Sequence, residues 1–217
     1  QAGIKIGDFV IWQQQWNEMH NPDFIATKAV DDRICCAILM ELVKHIDPEH
    51  MYGTLEAVFT VQEEVGLYGA KTAMHRVAPD LAIALDTIPG GDRPDVEYQE
   101  ELHIQLDHGP GFPVADAVGA RFFSMIHPAL RKAIETCAQE KEIHLQTVTL
   151  MGGNYTTDAA ALMHEFGGAP SATLAVPRRY SHSPVELFSL NDAVDVYELA
   201  LALCYYEFPE QLSFLSE

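Results

Sequence analysis

Short apolar runs alternate with amphipathic helical stretches along most of this chain, and few folds accept that order. Residues 31–45 place Ile34, Ile38 and Leu42 at helical spacing, a stripe that predicts a buried helix face. Residues 54–61 read as a strand, Gly66 and Gly69 punctuate the turn after it, and 67–77 read as a helix. The apolar run 81–85 predicts a strand buried on both faces. Residues 87–125 are rich in Gly, Pro and polar side chains, with a strand-like stretch at 101–106. Then come a helix at 128–141 with Pro in its first turn, a strand at 143–150, a helix at 158–166 and a strand at 171–176. A closing helix at 190–206 is expected to carry Val194, Tyr197, Leu201 and Tyr205 on one face. Strands that alternate with helices imply an α/β fold, a three-layer α/β/α sandwich around a mainly parallel mixed sheet. In such folds sites form just past the carboxyl ends of strands.

At 217 residues the chain is long enough for one sizeable core. No apolar run approaches the ~20 residues that a membrane helix needs, and the net charge of −19 argues against nucleic acid or an anionic membrane as partner. Cysteines stand at 35, 36, 137 and 204 with no Cys-x-x-Cys pair, which reads as buried thiols of the reducing cytoplasm.

Three acidic features and one histidine stand at strand ends or a helix start. Asp31-Asp32 opens the first helix, Glu63-Glu64 follows the strand 54–61, Asp86 ends the strand 81–85, and Ser181-His182-Ser183-Pro184 follows the strand 171–176. Each has an ordinary explanation alone: a helix cap, a solvated pair, a loop residue. Asp86 is harder to dismiss, because a carboxylate ending an apolar strand is partly buried and needs a partner. Converging on one sheet edge, they suit zinc, cobalt or manganese in an open catalytic site. Adjacent side chains point apart, so one of Glu63 and Glu64 can bind metal while the other takes a proton from water.

Four segments carry a specific resemblance. Lys28-Ala-Val-Asp-Asp-Arg-Ile34, Val61-Gln-Glu-Glu-Val-Gly-Leu-Tyr-Gly-Ala70, Ala82-Ile-Ala-Leu-Asp-Thr87 and Val176-Pro-Arg-Arg-Tyr-Ser-His-Ser-Pro-Val-Glu186 resemble, in order, the signature blocks of M42 aminopeptidases of the glutamyl aminopeptidase and TET type. The resemblance implies a zinc-peptidase-like metalloaminopeptidase acting on peptides through two divalent metal ions, assembled as a homo-oligomer. It implies that Asp31 bridges the metals with Asp32 and Arg33 supporting it from behind, that Glu63 is the general base, and that Glu64 and His182 bind one metal. Asp86 would bind the other.

The family takes a further ligand from a His-x-Asp block that precedes an inserted β-domain. The sequence Gly3-Ile-Lys-Ile-Gly-Asp-Phe-Val10 is similar to the return from that insertion, and His20-Asn-Pro-Asp23 has the wrong spacing to replace the block. The expectation is therefore a return segment at 1–27 followed by a catalytic domain at 28–217. Such a chain would lack one ligand histidine and would bind two metals or only one. The alternative is a non-catalytic or incomplete relative that binds metal or assembles. Gly152-Gly153-Asn-Tyr-Thr-Thr-Asp158 carries extra residues against the family's Gly-Gly-Thr-Asp, so Asp158 reads as a cap of the next helix as readily as a substrate contact. Tyr205-Tyr206-Glu-Phe208 and Phe214-Leu215 form an aromatic and apolar tail that association could cover.

Overall fold

The computed structural model of the chain describes residues 3–13, 16–97, 102–119, 122–151, 154–165, 167–209 and 212. Gly152, Gly153, Phe214 and Leu215 lie outside them. In chain order the elements are β1 (Trp16–Glu18), β2 (Phe24–Thr27), α1 (Val30–His45), α2 (Tyr68–Val77), β3 (Ala82–Pro89), β4 (Gly111–Val118) and β5 (Phe122–Met125). They continue with α3 (Pro128–Glu140), β6 (Gln146–Leu150), β7 (Asn154–Tyr155), α4 (Asp158–His164), β8 (Ser171–Arg179), β9 (Glu186–Ser189) and α5 (Leu190–Cys204).

Among the described residues, nine strands join one mixed sheet along the path β1-β2-β9-β8-β4-β5, with β3 on β8 and both β6 and β7 on β4. The two longest ladders, β3 with β8 and β4 with β6, are parallel. The shorter ones are antiparallel, which makes the sheet mixed, as expected, with its longest pairings parallel.

Residues on β8 alternate between the two faces. Ala172, Leu174 and Val176 enter the main core with Phe112, Phe188 and the inner faces of α1, α3 and α5, including Ile38, Leu130, Ile134 and Leu199. On the opposite face Ser171 Oγ donates to the Ala159 carbonyl of α4 at 3.0 Å. The Thr157 and Thr173 hydroxyls pair there at 2.7 Å. Leu67 and Ala70 then pack α2 onto Ala160 and Ala161 of α4. Helices on both faces make the expected three layers.

Local chemistry starts the helices where the sequence signals. Pro128 stands in the first turn of α3 behind a His127 cap, while Thr157 and Ser189 side chains accept the Ala159 and Asn191 amides at the starts of α4 and α5.

Several expectations need correction. Residues 54–61 join no ladder among the described residues, and Val58, Phe59 and Val61 are exposed. Alternation favours extended backbone, but a strand also needs a neighbour to pair with. Residues 102–105 are not a strand either, although Ile104 and Leu106 are buried. β4 was hidden by Pro113, which sits at a register shift where the missing N–H is tolerated.

On α5 the buried residues include Ala193, Val196, Leu199, Ala200 and Leu203, while Val194 is 55% exposed. Tyr206 and Phe208 pack against the main core and each other, which removes the described part of the tail as a cue for association. All four cysteines are free, but Cys36 is exposed rather than buried. No described helix is long and apolar enough to cross a membrane.

Candidate metal centre

Strained turns deliver the acidic residues. Ala29 has φ 52°, and Asp31 and Asp32 have non-helical dihedrals at the start of α1, with no side-chain capping bond there. They are therefore not the helix cap that their position suggests. Gln62 (φ 61°) turns the chain into Glu63 and Glu64, and Leu67 (φ 58°) starts α2. Tyr180 (φ 62°) and His182 (φ 56°) shape the turn between β8 and β9. Five of the eight described non-glycine residues with positive φ fall in these turns, so the strain is concentrated here. Asp86 lies inside β3 rather than at its end, paired with Ala175. Because β3 and β8 run parallel, Asp86 and the turn after β8 fall toward the same end of the sheet.

These segments assemble two groups of three ligand-type side chains. Asp31, Glu64 and His182 offer atoms all within 4.8 Å of one another, and so do Asp31, Asp32 and Asp86. Asp31 is common to both. His182 Nε2 is 3.0 Å from Asp31 Oδ2 and 3.4 Å from Glu64 Oε2. Beneath them Arg178 donates to Asp31 Oδ2 at 2.6 Å and to Glu186 Oε1 at 3.1 Å.

The electrostatics of the centre favour a cation. Burial, then the charges of Asp32, Asp31 and Glu63, pushes the Asp86 carboxyl well above its usual range. Asp32 is raised well above too, by burial and then by Asp31. Burial and Asp31 also raise Glu64. Glu63 rises to about 7, through burial first and then through Asp158, Glu64 and Asp31. Asp32 Oδ1 is buried with no hydrogen-bond partner. Carboxylates crowded this way are cheapest to ionise beside a divalent cation, and the carboxylate–imidazole donor set fits one.

The structure thus brings together Asp31, Glu64, Asp86 and His182, with Glu63 close enough to feel their charge. Asp32, expected behind Asp31, also offers an atom to the second group. Arg33 is exposed, and Arg178 donates to Asp31 from beneath. Asp158 does not cap α4, because Thr157 does; Thr60 Oγ1 donates to Asp158 Oδ2 at 2.7 Å. Sequence reasoning assigned no role to Arg178 or Glu186. The available signal was a basic and an acidic residue flanking His182 in a strand–turn–strand segment.

A sequence profile of the family described as M42 glutamyl aminopeptidase matches residues 1–199. A relative from Acetivibrio thermocellus is 36% identical over 184 residues, covering 84% of this chain and 52% of its own length. The solved structure of an aminopeptidase from the archaeon Desulfurococcus kamchatkensis superposes with a TM-score of 0.87 at 31% identity, over 97% of this chain and 56% of that one. A TET1 peptidase of Pyrococcus horikoshii, described as able to assemble into a tetrahedron or a large octahedral shell, gives a TM-score of 0.72 at 28% identity, over 89% and 53%. The chain spans about half the length of the curated relatives it matches.

Proposed function

Because the chain belongs to the M42 glutamyl aminopeptidase family, we propose that it carries the catalytic centre of a metal-dependent aminopeptidase that removes N-terminal residues from peptides. The observation that carries this reading is the pair of ligand groups that share Asp31. Asp31, Glu64 and His182 would hold one divalent ion, and Asp31 with Asp86, and Asp32 beside them, a second. Zinc, cobalt or manganese suits such donors. Bound metal supplies Lewis acidity for the scissile carbonyl and lowers the pKa of water toward ~7. The four free cysteines favour a reducing, cytoplasmic setting.

Glu63 is the general base. Its carboxyl, raised to about 7, is matched to taking a proton from the attacking water near neutral pH and returning it to the leaving amine nitrogen. Charge on neighbouring cations would offset part of the repulsion from Asp31 and Glu64. Thr60 anchors Asp158, whose charge acts on Glu63. Similarity to aminopeptidases does not favour a non-catalytic reading.

Replacing Glu63 by Gln keeps the shape and removes the base. Turnover of aminoacyl substrates by the metal-loaded protein should fall ~10²–10⁴-fold while metal content stays near normal. If Glu63→Gln strips the metal instead, the roles of Glu63 and Glu64 are exchanged.

A further inference from the structure

Glu186 and Arg178 are deeply enclosed charges of the centre, with side chains 2% and 4% exposed. Their bonds converge on the candidate ligands. Arg178 sends Nη2 to Asp31 at the start of α1, Nη1 to Glu186 in β9, and Nε to Thr87 Oγ1 at 2.6 Å, the residue after Asp86 in β3. Glu186 accepts the Asp31 amide on Oε2 at 3.0 Å and the His182 amide on Oε1 at 2.9 Å. One rigid guanidinium plane and one carboxylate therefore tie four separate segments together.

Two features argue that this pair does more than hold the core. A buried ion pair is a poor device for stability, since apolar side chains of similar volume often serve as well or better. Moreover, its amide bonds land on the two ligand residues whose backbones are unusual: Asp31 at the non-helical start of α1 and His182 in left-handed conformation. We infer that Arg178 and Glu186 are positioning residues, which set the separation of Asp31 and His182 for metal before any ion arrives. The inference rests on reading Asp31, Glu64 and His182 as a metal position.

Metal-stripped chain titrated with zinc, well below its melting temperature, tests both layers separately. If the wild type takes up no zinc, the metal reading itself fails. Given wild-type binding, Glu186→Gln and Arg178→Lys should weaken the His182-dependent position ~10–100-fold, with circular dichroism unchanged. Lysine keeps the charge but cannot reproduce a planar three-way fork. In a His182→Ala background Glu186→Gln should cost less than in the wild type, because the imidazole it positions is gone and only its hold on the Asp31 amide remains to be lost. The cobalt absorption spectrum of Arg178→Lys should differ from that of the wild type.

A purely structural pair would lower the melting temperature and leave affinity and cobalt spectrum unchanged; that result overturns the inference, as do losses that add. Should the Glu186 and Arg178 variants both fail to fold, Thr87→Val removes only the Nε contact. A several-fold loss of zinc affinity then supports the inference, and unchanged affinity overturns it.

Discussion

Asp31 shows how much one residue's meaning depends on what surrounds it. Its position before a helix suggested a cap, yet its carboxylate meets His182, Glu64, Asp86 and Arg178 from distant parts of the chain. His182→Ala should remove the only imidazole from these two groups, weakening zinc binding at least as much as loss of a supporting residue, ~10–100-fold. Equilibrium dialysis at neutral pH measures this; undiminished zinc uptake would show that the ion sits elsewhere.

A second residue-scale expectation concerns Asp192 in α5, fully buried, whose carboxylate accepts the Asp107 and Gly109 amides at 2.7 Å. Burial, outweighing those two amides and aided by the Asp107 and Asp195 charges, raises its pKa from 3.8 to about 7. The native state then keeps a proton that the unfolded chain has released. Stability should fall as pH rises from about 4 to about 7 and level off above, with a slope of at most about 1.4 kcal/mol per pH unit from this group. Urea titrations across that range should show a shallower decline for Asp192→Ala than for wild type. Equal slopes would mean that Asp192 stays ionised in the fold.

Elements were legible where one periodicity dominated. α3 declares itself through Pro128 and through Leu130, Ile134 and Cys137, all buried. α5 has apolar residues on more than one face, so spacing alone could not choose the buried one. Val194, on the face that the spacing picks out, is 55% exposed, whereas Leu199 is 0% exposed. Leu199→Ala should therefore cost ~2–5 kcal/mol, and Val194→Ala no more than ~0.5 kcal/mol. Denaturant melts of the two variants make the comparison, and comparable losses would reverse the assigned face. Residues 54–61 show the other limit: their pattern is extended, but pairing depends on a neighbour that the pattern does not name.

For the molecule as a whole, charge is the governing quantity. A net charge of −19 opposes compaction and association, and the crowded carboxylates of the centre concentrate that cost. Ions that bind only the folded chain should stabilise it by about 2.7 kcal/mol at a free concentration of 100 Kd. Thermal melts with zinc and with a chelator read this directly, and coincident melts would remove the linkage. Homo-oligomerisation, expected from the resemblance of the sequence blocks, is tested at this scale. Sedimentation at micromolar concentration should find species larger than a monomer, favoured by salt as repulsion is screened. A monomer at every salt concentration would refute this.

By itself the sequence determined the layered α/β class, because apolar periodicity is local and survives without coordinates. It also determined the residue types of the centre: Asp31, Glu63, Glu64, Asp86 and His182 stand in recognisable blocks. Only the tertiary structure decided that Asp32 turns into the second ligand group, that Arg178 meets Asp31, and that Glu186 holds the His182 amide. Each of those outcomes depends on contacts between residues far apart in the chain. Burial and hydrogen bonding at such distances are set by how the sheet and helices close around the site, and no local pattern encodes them.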